Sequence, residues 1–380
     1  ASVPLWVPAD AEIVIEGYVN PDSGVIGFDP RVDGELGEGA VFEGPFGDHT
    51  GFYSMPDRYP IVEVTAVTMR QRPIYPTTVV GLPPQEDYYL GKATERVFFP
   101  LLKTLIHDIE DYDLPMFGAF HNCAFVKMRK AYPLQARRVM HAIWGAGQMA
   151  WTKTIFVVDD DVDVHDTLAV LRAASEHCDP SRDVEIVRGP LDILDHAAPW
   201  LGGGGKMGFD CTRKWAGEEP DASSEPTLPR RFDDRDACVE AVRSVEGVAA
   251  AAMPEASSGW LYVSTGIRDA SAFDVLASAV VAASGDRAAF IVFVGPGVDI
   301  TDVDEAMFHW VANADMLRDA RVVGRSVWFD ATAKGEGVRR GMPVREWPPI
   351  LEMDGAVVSQ VRGRFADLLS EERGGSDAAT

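Results

Sequence analysis

Apolar and polar positions in the first third of the chain follow two different periods. Residues 12–19 and 61–69 combine β-branched residues with polar ones, which predicts two half-buried strands. Residues 90–110 instead place apolar side chains at helical spacing, which predicts a helix. The stretch 20–41 is rich in glycine and acidic residues, and we therefore expect a long loop there.

From about residue 124 the pattern changes to alternating strands and helices. Short β-rich runs predict strands at 124–129, 154–158 and 184–187. Helical spacing predicts a helix over 133–149, and a second helix follows the acidic run and ends near residue 177. This alternation is typical of βαβ units that share a partly parallel sheet.

The βαβ pattern occurs twice at a constant spacing. Residues 155–166 match residues 291–302, and three polar positions further on are shared by both copies: Asp179, Arg182 and Asp183 match Asp315, Arg318 and Asp319. We interpret this as a duplicated α/β unit. The second copy is degenerate, because Gly295, Pro296 and Gly297 replace the three aspartates that begin at Asp159.

Composition restricts the class of protein. The chain has 380 residues, which is long enough for two or three domains with substantial cores. Its net charge of −24 argues against nucleic acid or an anionic membrane surface as a partner. No apolar run reaches the roughly 18 residues that a membrane span needs. The 4 cysteines lack metal-type spacing, so we expect reduced thiols in a cytoplasmic protein.

A loop with two acids is the clearest candidate for chemistry. In the sequence Glu43-Gly44-Pro45-Phe46-Gly47-Asp48-His49, two glycines and a proline separate the carboxylates. Such a loop can direct Glu43 and Asp48 at one point, and paired acids with different pKa values suit proton transfer. The alternative is an acidic surface turn, since glycine, proline and aspartate are ordinary turn residues.

Two further stretches have both a ligand-binding and a structural interpretation. Residues 159–166 are rich in aspartate but lack the central glycine and distal glutamate of a calcium loop, so we interpret them as a helix N-terminal region. Residues 202–206 read Gly-Gly-Gly-Gly-Lys but lack the spacing of a phosphate-binding loop. A flexible hinge is the competing structural interpretation of the glycine run.

Several separate motifs, in this order, resemble those of the UbiD family of decarboxylases. The motifs lie at residues 8–18, 42–51, 73–81, 83–87, 90–96, 151–153 and 206–210. The resemblance extends from residue 5 to residue 216. Beyond that point the chain resembles longer members of the family, some of which are assigned to menaquinone biosynthesis.

The resemblance implies a cofactor and an acid–base pair. The family uses prenylated FMN, supplied by a flavin prenyltransferase and held with a divalent metal, usually manganese. Its motif Glu-Gly-Pro-x-Gly-Asp/Glu matches Glu43 and Asp48, which implies that Asp48 is the proton donor and Glu43 its partner. The metal ligands and the catalytic arginine of the family match positions before Ala1. We therefore predict no metal ligand within this chain and expect it to be incomplete.

Three further residues receive roles from the resemblance. Lys153 matches a lysine that contacts the cofactor, a role that suits an ammonium beside a phosphate. His49 and Leu201 are implied to line the substrate pocket. The alternatives are a lysine at a strand edge, a structural histidine and the glycine hinge described above.

Taken together, these observations predict an α+β fold. The remainder of a flavin-binding split β-barrel is expected at 1–130, an α/β domain at 131–216, a linker at 217–233, a degenerate second α/β repeat at 234–372 and a disordered tail at 373–380. The implied function is non-oxidative, reversible decarboxylation of an aromatic or α,β-unsaturated acid, with a quinone precursor as one candidate substrate. A homo-oligomer is expected, because family members associate through the C-terminal region. The alternatives are a non-catalytic fragment or subunit, and a flavin reductase-like enzyme or carboxylase.

Overall fold

Two separate antiparallel ladders form the N-terminal part of the computed structural model, which describes residues 2–19, 40–215, 218 and 232–374. Strand β1 (Ile13–Val19) pairs with β4 (Val62–Met69), and β2 (Ala40–Glu43) pairs with β3 (Asp57–Pro60). The strands predicted at 12–19 and 61–69 are therefore confirmed. The predicted loop lies almost entirely outside the described residues.

A five-stranded mixed sheet and its helices form the first α/β unit, residues 86–215. Its strands are β5 (Ile109–Asp113), β6 (Cys123–Met128), β7 (Thr154–Asp159), β8 (Val184–Pro190) and β9 (Gly203–Asp210), and its helices are α1 (Glu86–Leu105), α2 (Gln135–Trp144) and α3 (Thr167–His177). The strand order is β5-β6-β7-β9-β8. The three central strands run parallel and each edge strand is antiparallel to its neighbour.

A second sheet of the same order and the same strand directions forms the second α/β unit, residues 232–344. Its strands are β10 (Ala250–Ala252), β11 (Trp260–Ser264), β12 (Phe290–Val294), β13 (Ala320–Val323) and β14 (Ser326–Ala331), and its helices are α4 (Arg235–Arg243), α5 (Ala270–Ser284) and α6 (Val303–Asn313). The order is β10-β11-β12-β14-β13, again with parallel central strands and antiparallel edges.

Aspartate side chains mark where two of the helices begin. Asp166 accepts hydrogen bonds from the backbone N–H groups of Leu168 and Ala169 at the start of α3, and Asp302 caps α6 in the same way. These caps confirm the helix N-terminal interpretation of 159–166. Helix α1 begins at Glu86 and ends at Leu105, four to five residues earlier than predicted at each end, and Ile109 lies fully buried in β5 instead of continuing the helix.

The two α/β units share one hydrophobic core. Phe156 and Phe209 of the first unit contact Trp310 of the second, with ring centroids 6.2 Å apart in each pair, and Trp260 stacks on Phe290 at 4.1 Å. Burial of such large aromatic side chains is a major source of stabilisation. The units are therefore packed as one body.

The remaining described elements lie near the C-terminus. Strands β15 (Gly337–Arg339) and β16 (Met342–Val344) form a short hairpin, and α7 (Gly355–Gly374) ends the described chain. The mixed α+β class is confirmed. The first large sheet extends across the predicted boundary at residue 130, and most of the predicted linker and tail lies outside the described residues. No described helix is both long and apolar enough to cross a membrane, and the four cysteines are buried and unpaired.

Candidate active site

A cavity lies where three distant segments of the chain meet. Its volume is about 70 Å³, and it is partly open to solvent. The first wall is the loop 48–59, the second is the segment 193–201 of the first α/β unit, and the third is the segment 345–348, which follows β16. Concave sites assembled from separate elements are the usual location of small-molecule binding.

The loop that carries the candidate acid is a tight backbone hairpin. The N–H of Asp48 donates to the carbonyl of Phe52 at 3.2 Å, and the N–H of Gly51 donates back to the carbonyl of Asp48 at 3.1 Å. Gly51 has a φ of +80°, a left-handed conformation that glycine adopts without steric cost. Asp48 is therefore held at the first position of the turn, on the cavity wall.

Asp48 and His49 form a closely coupled acid–base pair. His49 Nδ1 lies 2.9 Å from Asp48 Oδ1. Burial by itself raises the pKa of Asp48, but the hydrogen bond and charge of His49 outweigh it, and the pKa falls below its usual value. Burial likewise lowers the pKa of His49, but Asp48 outweighs it and the pKa is raised. Each side chain thus stabilises the charged form of the other.

The second carboxylate oxygen of Asp48 is the unusual atom of the site. Oδ2 is buried and has no hydrogen-bond partner among the described residues. An ionised carboxylate oxygen without a partner is costly, and such groups in native proteins call for a specific explanation. Because Asp48 lines the cavity, a molecule bound there can donate the missing hydrogen bond.

A second histidine, which the sequence analysis did not identify, lies behind His49. The rings of His49 and His121 are 5.5 Å apart and nearly perpendicular, and His121 Nδ1 lies 3.9 Å from Asp192 Oδ2. Burial lowers the pKa of His121, and its Nε2 has no partner among the described residues. Asp48, His49, His121 and Asp192 thus form a row of titratable side chains that extends from the loop into the first α/β unit. No local motif around residue 121 signalled this.

Not all of the other predicted site residues line this cavity. Leu201 lies on the cavity wall, as its predicted role requires. His49 lines a smaller neighbouring cavity and reaches the first one through Asp48. Glu43 is exposed on β2 and is not among the residues that line this cavity or the one beside His49. The closest partner of Asp48 is therefore His49, and the role of Glu43 stays a prediction.

Lys153 is enclosed between the two α/β units. Its side chain is fully buried, and Nζ lies 2.7 Å from Asp195 Oδ2 and donates to the carbonyl of Val311 at 2.6 Å and of Ala314 at 3.3 Å. These three contacts match the three donors of an ammonium. Lys153 therefore connects the units, and its side chain does not reach the cavity.

Three of the four glycines, Gly203 to Gly205, begin strand β9, where the second unit approaches closely, and Gly202 lies in the preceding turn. A Cβ on Gly205 would lie 2.2 Å from the backbone N of Leu317, and one on Gly204 would lie 2.5 Å from Asp315 Oδ2. The N–H of Gly205 donates to Asp315 Oδ2 at 2.6 Å. The glycines thus allow close packing of strand against turn, which neither the phosphate-loop nor the hinge interpretation anticipated.

One cluster of potential metal ligands occurs among the described residues, at Glu95, Asp113 and His165. Lys92 Nζ lies 2.9 Å from Glu95 Oε2 and is also paired with Asp113. A cation would have to displace this ammonium, so the cluster fits an ion-pair network and not a metal site.

Comparison with known proteins gives two matches to family profiles. The profile of the 3-octaprenyl-4-hydroxybenzoate carboxy-lyase Rift-related domain matches residues 1–83, and that of the C-terminal domain of the same carboxy-lyase matches residues 88–211. Both profiles describe the UbiD family, and together they account for more than half of the chain.

Curated relatives support the same grouping. An uncharacterized protein of Archaeoglobus fulgidus is 50% identical over 218 residues, and one of Aquifex aeolicus is 51% identical over 217 residues. Each match covers 57% of this chain and 42% of the relative. The chain thus spans less than half the length of these relatives.

Solved structures with similarity include three of UbiD-class enzymes. HmfF of Pelotomaculum thermopropionicum in complex with FMN is 27% identical and covers 62% of this chain and 48% of its own, with a TM-score of 0.46. An evolved dimeric form of HmfF in complex with prFMN is 29% identical. The match covers 54% of this chain and 41% of the HmfF chain, with a TM-score of 0.40. Vanillic acid decarboxylase of Sedimentibacter hydroxybenzoicus is 26% identical. The match covers 60% of this chain and 46% of the decarboxylase chain, with a TM-score of 0.48.

Proposed function

Because the chain belongs to the UbiD family of carboxy-lyases, we propose that it carries the acid–base half of a site for non-oxidative, reversible decarboxylation. The proposed substrate is an aromatic or α,β-unsaturated carboxylic acid, with quinone precursors as a candidate class. The observation that supports this most directly is the buried Asp48, which lines a cavity and has one carboxylate oxygen without a hydrogen-bond partner among the described residues.

Asp48 is the proposed proton donor. When the carboxylate of a bound acid leaves as carbon dioxide, its bonding electrons remain on the carbon, and a proton must be added there. The proton that Asp48 delivers comes from protonated His49 along the hydrogen bond between the two side chains, and solvent then reprotonates His49. A positioned acid whose proton is replenished by a neighbouring base is the usual arrangement for such a step.

Prenylated FMN is the cofactor that family membership suggests, together with a divalent metal such as manganese. Metal ligands were predicted to lie outside this chain, and the flavin contact predicted for Lys153 does not fit the described residues. Lys153 is enclosed by three other contacts, and the one cluster of potential metal ligands already holds Lys92. The proposal therefore assigns neither group to residues of this chain, and a flavin prenyltransferase remains the proposed supplier of the cofactor.

Two structural assignments belong to the proposal. We infer that the α/β units arose by duplication, supported by their common strand order and by equivalent ion pairs: Lys214 lies 3.6 Å from Asp183, and Lys334 lies 3.5 Å from Asp319. We infer that the N-terminal ladders belong to a split β-barrel, for which membership in the family is the support.

Self-association is also proposed. Val357, Val361 and Phe365 follow one another at four-residue intervals on α7, and all three are exposed. Four-residue spacing places these side chains on one face of the helix, which suits packing against the same face of a second copy. Light scattering on the purified protein tests this, and a monomer at all concentrations would contradict it.

A second candidate function is that of a non-catalytic subunit. The observation that favours it is the enclosure of Lys153, which leaves the predicted phosphate contact unavailable. In that case the cavity persists but no carbon dioxide is released.

Expression of the gene together with a flavin prenyltransferase tests the proposal. The purified protein is incubated with a panel of aromatic and cinnamate-type acids, and carbon dioxide release and the flavin absorbance spectrum are recorded. Release from at least one acid supports the decarboxylase. A bound flavin without release, or no flavin at all, would favour the subunit.

A further inference from the structure

The second α/β unit contacts one of the rings on the cavity wall. His196 of the first unit lines the cavity together with Asp48. Its Nε2 lies 3.0 Å from Oδ1 of Asn313, the last residue of helix α6 in the second unit. Both side chains are buried. A polar contact between the two units therefore borders the proposed active site.

The neighbours of Asn313 decide which of its side-chain atoms faces the histidine. Nδ2 lies 3.3 Å from the carbonyl oxygen of Ala331 at the end of β14, and a carbonyl oxygen can only accept a hydrogen bond. The backbone of Asn313 is also held, because Nζ of Lys334 donates to its carbonyl at 2.8 Å. The amide nitrogen of Asn313 therefore points to Ala331, and Oδ1 points to His196.

This orientation fixes the tautomer of His196. Because Oδ1 of Asn313 can only accept, Nε2 of His196 must carry the hydrogen of their bond. Burial lowers the pKa of His196 to about 3, so the ring is neutral at physiological pH and Nδ1 keeps its lone pair. Nδ1 has no hydrogen-bond partner among the described residues. The ring thus offers one acceptor that the protein itself does not use.

Aromatic neighbours hold the ring in this orientation. The ring of Phe52, from the hairpin that carries Asp48, lies against His196 with centroids 4.1 Å apart. The ring of Trp347, in the segment after β16, stands edge-on with centroids 4.7 Å apart. Rotation of the imidazole would break the bond to Asn313 and disturb both aromatic contacts. The acceptor is therefore positioned before a ligand binds, which reduces the entropic cost of binding.

We propose that Nδ1 of His196 accepts a hydrogen bond from a ring hydroxyl of the bound acid, and that Asn313 is the residue that positions this acceptor. Hydroxylated aromatic acids are then preferred over acids without a donor on the ring. The substrate class rests on the function proposed above, whereas the tautomer rests on the contacts of Asn313. Asn313 lies outside both regions that match the family profiles, so the second unit controls this part of the specificity.

The chemistry of the site suits a neutral donor. A hydroxyl group can give its hydrogen to Nδ1, whereas a halogen or ether at the same place would leave the acceptor unpaired. There is also room for an aromatic ring, because a neighbouring cavity of about 390 Å³ shares Tyr53, Met55 and Pro348 with the first cavity.

Nitrogen NMR of the full chain labelled with ¹⁵N-histidine tests the tautomer without ligand or cofactor. The chain has 8 histidines, and the signals of His196 are those absent from the spectrum of His196→Phe, a variant that keeps an aromatic ring at this position. Couplings to the ring protons distinguish the two nitrogens. We expect a protonated Nε2 and a bare Nδ1 throughout the range from about pH 5 to pH 8, and a mixture of tautomers in Asn313→Ala.

Titration calorimetry of the full chain, again without cofactor, tests the acceptor. The probes are the three hydroxybenzoate isomers and the corresponding fluorobenzoates, which are similar in size but have no donor on the ring. The wild type is compared with His196→Phe, Asn313→Ala and the control His309→Phe. His309 lies one turn before Asn313 on α6, with Nδ1 3.4 Å from its Nδ2, and is not among the residues that line the cavity.

We expect the wild type to bind at least one hydroxybenzoate about 2- to 10-fold more tightly than its fluoro counterpart, which is the net effect of one hydrogen bond. His196→Phe should lose this preference, Asn313→Ala should reduce it, and His309→Phe should keep it. Circular dichroism verifies that each variant is folded. If His196→Phe does not fold, the reduction in Asn313→Ala decides the matter.

Four results would overturn the proposal: a protonated Nδ1 of His196 in the wild type, no binding of any hydroxybenzoate, equal affinity for every hydroxybenzoate and its fluoro counterpart, or a preference that persists in both His196→Phe and Asn313→Ala. These outcomes are separate from the decarboxylase assay. Carbon dioxide release without a hydroxyl preference refutes the role of His196 and keeps the function. A preference that depends on His196, without release, does the reverse.

Discussion

Substitution of Gly205 by alanine tests the packing of the two α/β units most sharply. The added Cβ would lie 2.2 Å from the backbone N of Leu317 and 2.9 Å from the backbone C of Met316. Both contacts are to main-chain atoms, so no side-chain rotation can relieve them. The turn 315–317 must move away from β9, and the hydrogen bond from Gly205 N–H to Asp315 is then lost.

The magnitude follows from these two effects. Overpacking in a well-packed interior costs about 1–3 kcal/mol, and the loss of a hydrogen bond to a buried charged group costs about 1.5–3 kcal/mol. Asp315 is fully buried, so its carboxylate gains no water in exchange. We expect Gly205→Ala to lower the free energy of unfolding by about 3–5 kcal/mol.

Urea unfolding followed by tryptophan fluorescence measures this effect, because Trp260 and Trp310 lie in the shared core. Gly203→Ala is the matched control: it lies in the same strand, and its Cβ would meet nothing closer than the carbonyl O of Gly189 at 3.7 Å. We expect the midpoint of Gly203→Ala to stay near that of the wild type. Equal midpoints for the two variants would refute the close approach of the units at β9.

The remaining predictions concern the charged groups of the site. Lys153→Met should lower the free energy of unfolding by about 3–5 kcal/mol, because it leaves Asp195 buried without its cation. In urea unfolding, the double variant Lys153→Met with Asp195→Asn should recover part of that loss. Loss of bound flavin at unchanged stability would instead support the predicted cofactor contact of Lys153. The raised pKa of His49 means that its protonated form persists to higher pH than in an ordinary histidine. Turnover should therefore fall as pH rises through that pKa, and His49→Gln should remove this limb from the pH–rate profile; an unchanged profile would exclude His49. The partner role predicted for Glu43 requires that Glu43→Gln lose turnover, and full activity would show that the Asp48–His49 pair suffices.

The sequence specified elements and local turns well. The period of the apolar residues located β1, β4 and the alternating part of the first α/β unit, and Asp166 marked the start of α3. The glycines and proline that precede Asp48 indicated a turn, and Asp48 lies at the first position of one. All of these features depend on residues that are close together in the chain, which is the information that periodicity and turn chemistry contain.

The contacts of the site that were missed join distant segments. Lys153 looked like a ligand for an anion, but its partner Val311 is 158 positions away. Arg345 reaches the carbonyl of Ala198 from 147 positions away, and no motif accompanies it. The glycine run resembled a loop because glycine carries no side chain to show strand periodicity. Only the fold reveals that the missing side chains make room for the turn at Leu317.

Carbon dioxide release by Asp48→Asn, compared with Glu346→Gln, tests the central claim most directly. Both variants neutralise an acid on the wall of the same cavity. With the cofactor-loaded protein and an accepted acid, we predict that Asp48→Asn loses turnover by about 10²- to 10⁴-fold while the acid still binds, and that Glu346→Gln keeps turnover. Turnover retained in Asp48→Asn, or lost only in Glu346→Gln, would contradict the assignment of Asp48 as proton donor.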